Sequence, residues 1–367
     1  MRVGLDATPL LGRPTGVGRY VAGLLGGLCA LTDPPDLVLT AFTLRGASEL
    51  PGRAAQAGAG AVRISRRRVP ARALQAAWQR ADVPPVELLT GRIEVFHGTN
   101  FVLPPRWRAG GVVTVHDLSY ERFPDLVAAA SRRYRELVPR ALRSAAVVLT
   151  PSQAVADEVS ERYGLADGRV VATGLGVDRA WFEAVPPAAA ELAELGMPER
   201  YLLFVGNREP RKNLSVLLRA HAAQRAEDPD TPPLVLVGPP GWGDALDTTS
   251  AGVVVAGYLD DSRLRRVTAG AACLIFPSLY EGFGLPPLEA LASGVPVVAS
   301  DLPVLREVLG THAEFVEPDD ADELAAALAR VLARTHDPVP GRQWAARWTW
   351  RRCAEATLSA YDTARHG

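Results

Sequence analysis

The chain has 367 residues, enough for two domains of ordinary size, and 48% of them are hydrophobic, enough to fill two cores. Its 40 Lys and Arg against 41 Asp and Glu leave a formal net charge of −1, which argues against nucleic acid as a partner because binding along a phosphate backbone needs an excess of cations. Cys29, Cys273 and Cys353 show no Cys-x-x-Cys spacing, so neither a zinc site nor a disulfide framework follows, and no apolar run approaches the ~18 residues of a membrane span; a cytoplasmic protein, at most peripheral on a membrane, is expected.

A first strand is predicted over residues 2–7 and a helix over 20–30, joined by the loop 12–19. Gly16 and Gly18 ahead of that helix can lay backbone amides against a diphosphate, although glycine in a first turn also has purely steric uses. A dinucleotide fingerprint needs a further glycine three residues after Gly18, where the chain has Val21, so a nicotinamide enzyme is disfavoured. Strands at 37–44 and 61–65 follow. Arg63, Arg66, Arg67, Arg68, Arg72 and Arg80, beside Leu74 and Trp78, read either as solvated surface or as a patch for an anionic acceptor or lipid headgroup.

The strands 93–97 and 111–115 lead to His97 and His116, at the carboxyl ends where open α/β sheets bind ligands. His97 is read first as structural and the pair His116-Asp117 as functional; with no third ligand near either, zinc is not expected. A helix over 131–144, a strand over 146–149, a helix capped by Ser152 and a strand over 170–177 complete a first domain. Residues 178–200, with Pro186-Pro187, read as a linker.

The second domain opens on a strand over 201–205 that runs into Gly206-Asn207-Arg208-Glu209-Pro210-Arg211-Lys212-Asn213 and a helix. Three cations at a strand-to-helix turn add to the positive field of the helix N-terminus. Strands at 234–238 and 253–257 come next, the latter turning through Gly257-Tyr258-Leu259-Asp260. An apolar strand at 273–276 then passes through Pro277-Ser278-Leu279-Tyr280-Glu281-Gly282-Phe283-Gly284-Leu285 into a helix that Pro286 or Pro287 can open. The glycines let the backbone approach a ligand, with Glu281 in the loop and Glu289 in the first turn of the helix. Taken alone, Glu281 is a solvated loop residue and Glu289 a complement to the helix dipole. Asp228-Pro229-Asp230 and Asp320-Ala321-Asp322 follow no buried strand, so no metal is assigned to either. Strand and helix alternate to the end, with a last helix over 350–364, which predicts a doubly wound α/β fold twice over.

Glu281 and Glu289, with seven residues between them inside this string, resemble the paired-glutamate signature of the retaining GT-B glycosyltransferases, specifically glycosyltransferase family four. The resemblance covers nearly the whole chain. It implies two Rossmann-like domains facing a central cleft: an acceptor-binding one, residues 1–178 plus a C-terminal helix at 350–367 that crosses back, and a nucleotide-sugar-binding one, 179–349. It assigns Glu281 to the donor sugar, Glu289 to the ribose, His116 to the sugar and Lys212 to the diphosphate, with Tyr258 and Leu259 near the base and Phe283, Gly284 and Leu285 lining the donor. The family arginine usually follows the glycine directly, where Asn207 stands here, so Arg208 and Arg211 compete for that role.

The segments 97–105 and 116–120 look most like the mannosyltransferase branch, which favours GDP-mannose over UDP-hexoses as donor, with no cofactor. The acceptor implied is a glycan, a glycolipid or a small molecule, with Arg66, Arg67 and Arg68 as its dock and anionic membrane as a peripheral partner. The alternatives are a GT-B-fold sugar-nucleotide epimerase, which would need an acid and a base, and a non-catalytic sugar-nucleotide binder.

Overall fold

The apolar runs become thirteen strands among the described residues, all parallel, in two sheets. The structure is a computed structural model and describes residues 1–12, 15–43, 46–65, 74, 77–78, 81–242, 248 and 250–366. By packing the chain forms two units: residues 1–118, 133–176 and 349–367, and residues 119–132 and 177–348. The sequence reading kept 119–132 with the first half. In the structure this segment packs with the second, where the Phe123 ring lies 5.7 Å from that of Tyr280 and the indole of Trp242 donates to the Leu126 carbonyl at 3.4 Å.

In the first unit the order is β3 (Arg63–Ile64), β2 (Asp36–Thr40), β1 (Arg2–Asp6), β4 (Val95–Gly98), β5 (Gly110–Thr114), β6 (Val147–Thr150) and β7 (Val170–Ala172). Strands buried on both faces are near-continuous apolar runs because helices cover both sides of a parallel sheet. The first helix spans Gly16–Cys29 rather than starting at Tyr20, because the Thr15 hydroxyl accepts from the Gly18 amide at 3.1 Å and caps it there. The helix Trp350–His366 packs on it through glycines: a Cβ at Gly23 would lie 2.1 Å from the Trp350 ring, and one at Gly27 2.5 Å from the Trp350 carbonyl.

A buried polar chain ties that last helix to the sheet. The Tyr361 hydroxyl meets His97 Nδ1 at 2.8 Å, His97 Nε2 meets Thr114 Oγ1 at 2.7 Å, and Thr114 Oγ1 meets the Tyr20 hydroxyl at 2.9 Å. His97 is fully buried and is a structural core residue.

In the second unit the order is β10 (Val253–Gly257), β9 (Leu234–Val237), β8 (Leu202–Val205), β11 (Cys273–Phe276), β12 (Val297–Ser300) and β13 (Glu314–Val316). The core between this sheet and the helices Leu214–Glu227 and Ala321–Ala333 is filled by Phe204, Leu217, Leu236, Ile275 and Leu328. The stretch read as a linker carries two short helices, Arg179–Phe182 and Ala189–Glu194, held by the buried side chains of Trp181 and Leu192. Among the described residues no helix is long and apolar enough to cross a membrane.

Burial, and then the proximity of His116, hold the His97 imidazole down to about 3. Its folded value lies below the unfolded one, so between about pH 6.5 and 3 the unfolded chain takes up a proton that the folded chain does not. Stability therefore rises with pH across that window, by up to about 1.4 kcal/mol per pH unit from this group. Urea midpoints measured from pH 7 to 4 should fall less steeply for His97→Gln than for the parent, even though the variant is weaker at pH 7. Comparison with the parent cancels Asp6, whose carboxyl burial pushes up to about 6 and which acts in the opposite direction.

Candidate functional site

The order β10-β9-β8-β11-β12-β13 reverses direction between β8 and β11, which pair directly, Cys273 with Leu202 and Leu274 with Leu203. The crevice outside the carboxyl ends of such a pair is where doubly wound sheets bind ligands. Residues 206–213 leave β8 and residues 277–284 leave β11, so residues 69 apart in sequence become neighbours.

Lys212 Nζ donates to Glu281 Oε1 at 2.5 Å and lies 4.7 Å from the centre of the Phe276 ring. Arg211 Nη1 is 3.3 Å from Glu281 Oε2, and its Nη2 donates to Glu209 Oε1 at 2.6 Å. The same guanidinium donates to the Tyr280 carbonyl, while the Leu279 amide donates to the Arg211 carbonyl at 2.9 Å and locks the two loops together. All four charged side chains are at most 14% exposed, so their attraction is little screened. Burial alone would raise the Glu281 carboxyl, but the charges of Lys212 and Arg211 and the Lys212 hydrogen bond outweigh it and hold the group below its ordinary value.

Arg208 and Arg211 have different surroundings in the same geometry. Arg211 is engaged by two carboxylates and a carbonyl, whereas Arg208 Nε is buried and has no hydrogen-bond partner among the described residues. A buried guanidinium N–H left unpaired costs about 1–3 kcal/mol, which an incoming anion would recover. The backbone beneath Arg208 is fixed by the loop after β9: a Cβ at Gly241 would lie 2.1 Å from the Arg208 carbonyl and one at Gly238 2.1 Å from that of Gly206. Asn213, at φ +54, ends the turn in the left-handed conformation that Asn tolerates, and the helix Leu214–Glu227 follows.

On the β11 side, Gly284 has φ +97, and a Cβ there would lie 2.6 Å from Leu305 Cδ2, so glycine meets both a backbone and a packing demand. The helix Leu285–Ala292 begins at once, with prolines in its first turn. Glu289 lies one residue beyond that first turn and is 2% exposed, which removes the reading of it as a solvated complement to the helix dipole. Glu281, 8% exposed and held by two cations, is no solvated loop residue either. The Phe283 ring packs edge-on against Trp348 at 5.1 Å and the Leu285 side chain is buried, so neither side chain is open to solvent. Tyr258 is 52% exposed beside the buried Leu259, just before Asp260 caps the helix Asp261–Ala269 by accepting from the Ser262 and Arg263 amides.

In the first unit, Gly18 is explained by packing, since a Cβ would lie 2.7 Å from the Pro9 carbonyl, whereas a Cβ at Gly16 would meet nothing within 4 Å among the described residues. His116 stands two residues past β5, half-buried, with Nε2 donating to the Thr99 carbonyl at 2.8 Å. Arg66, Arg67, Arg68, Arg72 and Arg80 lie outside the described residues. Leu74 and Trp78, read as apolar surface beside them, are buried instead, Trp78 against Phe42 and donating to the Pro84 carbonyl at 2.8 Å. Arg63 bonds to Asp36.

Sequence reasoning missed Glu209, Phe276 and Thr99. Glu209 stood in plain sight inside the charged run, but its partner could be named only in three dimensions. Among the described residues no group of three or more His, Cys, Asp and Glu is placed to hold a metal ion.

Two family profiles match the chain, one described as Glycosyltransferase Family 4 over residues 14–181 and one described as Glycosyl transferases group 1 over residues 199–334. The chain is 32% identical over 284 residues to O-antigen chain mannosyltransferase B of Escherichia coli, a match covering 73% of this chain and 74% of that one. It is 31% identical over 248 residues to the MMP alpha-(1->4)-mannosyltransferase of Mycolicibacterium hassiacum, covering 62% of this chain and 57% of that one. Among solved structures it is similar to a sucrose-phosphate synthase from Thermosynechococcus elongatus, with a TM-score of 0.68 at 20% identity over 98% of both chains. HepE from Anabaena, solved in complex with UDP and glucose, gives a TM-score of 0.68 at 16% identity over 98% of this chain and 99% of that one. At these identities the solved structures show the fold, which is GT-B.

The two arginines should separate by experiment. Arg211→Ala leaves Glu209 and Glu281 short of a buried partner and should destabilise by about 3–5 kcal/mol, read as a lower urea midpoint. Arg208→Ala, which removes the unpaired group, should leave the midpoint unchanged or raise it while weakening binding of a nucleoside diphosphate measured by calorimetry.

Proposed function

The chain belongs to glycosyltransferase family four, and on that footing we propose that it transfers a hexose, mannose before others, from a nucleoside diphosphate sugar to an acceptor hydroxyl with retention of configuration. The observation that carries this reading is the buried cluster of Lys212, Arg211 and Glu281 at the carboxyl ends of β8 and β11, with a guanidinium nitrogen on Arg208, beside it in sequence, that has no partner among the described residues. When the bond between the sugar C1 and the phosphate oxygen breaks, negative charge grows on the diphosphate, and fixed cations stabilise that change without rearranging. Lys212 and Arg208 take this role. Gly16 and the first amides of its helix are assigned to the same diphosphate.

Glu281 holds the sugar hydroxyls, Glu289 the ribose and His116 the sugar, with Tyr258 and Leu259 at the base. None of these is left as a covalent nucleophile. As the family implies, the acceptor oxygen attacks C1 on the face from which the phosphate departs, and its proton passes to the leaving diphosphate. GDP-mannose is the preferred donor, supported by the mannosyltransferases among the relatives; UDP-hexoses come second. The acceptor is a glycan, a lipid-linked glycan or a small molecule selected by the first unit, and peripheral contact with anionic membrane is part of the lipid-linked case. An epimerase would need an acid and a base, and the carboxylate of Glu281, held between two cations, is poorly suited to carry a proton.

A panel of nucleotides and nucleotide sugars should raise the melting temperature in the order GDP and GDP-mannose, then UDP and UDP-hexoses. Lys212→Ala should lower turnover on the order of 100-fold, and product formation should survive EDTA. Equal and negligible shifts with GDP and UDP, or activity abolished by EDTA and restored by Mg or Mn, would contradict the reading.

A further inference from the structure

In the first sheet the order β3-β2-β1-β4-β5-β6-β7 reverses direction between β1 and β4, so the tails of β1, β4 and β5 lie side by side. Thr99, directly after β4, is fully buried, and its hydroxyl donates to the carbonyl of Asp6, the last residue of β1, at 2.7 Å. The Thr99 carbonyl in turn accepts from His116 Nε2 at 2.8 Å. A carbonyl only accepts, so Nε2 must carry the proton. Burial holds the imidazole below its ordinary pKa and keeps it neutral at pH 7, which leaves Nδ1 with a lone pair. Among the described residues no hydrogen bond reaches that nitrogen.

The ring is also clamped in orientation. Tyr20 meets it edge-on at 5.0 Å and Phe101 at 5.4 Å, both at 78°. Tyr20 is itself held through its hydroxyl by Thr114 at 2.9 Å. Phe101 sits at φ +62, a conformation that costs a side chain of this kind about 1–2 kcal/mol, and its amide is bonded to the Thr114 carbonyl at 2.9 Å. Strain of this kind is held where the surroundings over-determine a residue, and it gathers at ligand sites.

We propose that Thr99 is a positioning residue for the transfer: anchored to β1 by its hydroxyl, it fixes His116 as the Nε2–H tautomer, so that Nδ1 accepts a hydrogen bond from a hydroxyl of the donor sugar and the enzyme discriminates against a donor deoxygenated there. This rests on the assignment of His116 to the donor sugar. Discrimination follows because a deoxy sugar leaves the acceptor nitrogen unmatched, on the order of 10- to 100-fold in kcat/KM. A histidine that was only a core residue would show no such preference.

The test uses the full chain labelled with 15N-histidine. Long-range proton–nitrogen spectra at pH 7 should show His116 as a neutral Nε2–H imidazole in the parent and in Thr99→Ser, and as a mixture of tautomers in Thr99→Val. Thr99→Val should also lower kcat/KM for the nucleotide sugar on the order of 10-fold, without changing affinity for the bare nucleoside diphosphate, and Thr99→Ser should restore it. A parent spectrum with the proton on Nδ1, or an imidazolium at pH 7, overturns the proposal without any variant. An unchanged His116 signature in Thr99→Val, or no rescue by Thr99→Ser, reduces Thr99 to a structural residue. If His116→Ala transfers sugar at the parental rate while the spectra stand as expected, it is the assignment of His116 to the donor that fails, and the proposal with it.

Discussion

The buried carboxylate of Glu281, held between Lys212 at 2.5 Å and Arg211 at 3.3 Å, is the interaction on which the second unit's site depends. Taking three charges out of water costs several kcal/mol each, and their mutual attraction balances that only when the geometry is good and the remaining donors are bonded. Arg211 meets the second condition through Glu209 and the Tyr280 carbonyl, and Lys212 is stacked over Phe276. The arrangement is possible because β8 and β11 are neighbours, so one loop supplies the cations and the other the anion. As a way of stabilising a fold it offers little over apolar packing. As a cradle whose cations are already desolvated and aimed, it suits a reaction that releases a diphosphate.

Each sheet repeats the same construction. In the first, the reversal lies between β1 and β4, and the residues at their carboxyl ends, Asp6 and Thr99, are bonded to one another; in the second, it lies between β8 and β11. Both reversals place irregular backbone where strands end, and both contain residues that answer to position: Phe101 and Asn213 at positive φ, and Gly284 in the left-handed region. The helix Trp350–His366 returns to the first unit through contacts that only glycine permits at Gly23 and Gly27. The His97 chain then fixes it to the sheet.

Much of this was legible in the sequence, because parallel strands buried on both faces read as plain apolar runs. Residues 253–257 and 273–276 were placed as they stand, and the strand-to-helix turns that carry Lys212 and Glu281 followed from them. Tertiary partners were not legible. Arg208 and Arg211 are equivalent in composition and differ only in what surrounds them, and those surroundings, Glu209 and the Tyr280 carbonyl about Arg211, exist only in space. Trp78 beside arginines looked like surface until Phe42 and the Pro84 carbonyl enclosed it. The start of the first helix moved because a single hydroxyl, Thr15, outweighs the weak helix propensity of Gly16 and Gly18. Residues 119–132 follow the first sheet in sequence but pack through the Phe123–Tyr280 contact and the Trp242 hydrogen bond, whose partners lie far along the chain.

In the proposed function Glu281 compensates the charge of Lys212 in the free protein and holds the donor's sugar hydroxyls, while the diphosphate goes to Lys212 and Arg208. Calorimetric titration of GDP into the parent and Glu281→Gln tests this most directly. The amide keeps the shape of the side chain but removes its charge, so the free variant should be less stable and yet bind the bare diphosphate more tightly, by about tenfold, the order of one charge-assisted hydrogen bond released to the ligand. Weaker binding of GDP by a folded Glu281→Gln would contradict it, and would mean that the carboxylate builds the cation site instead of occupying it.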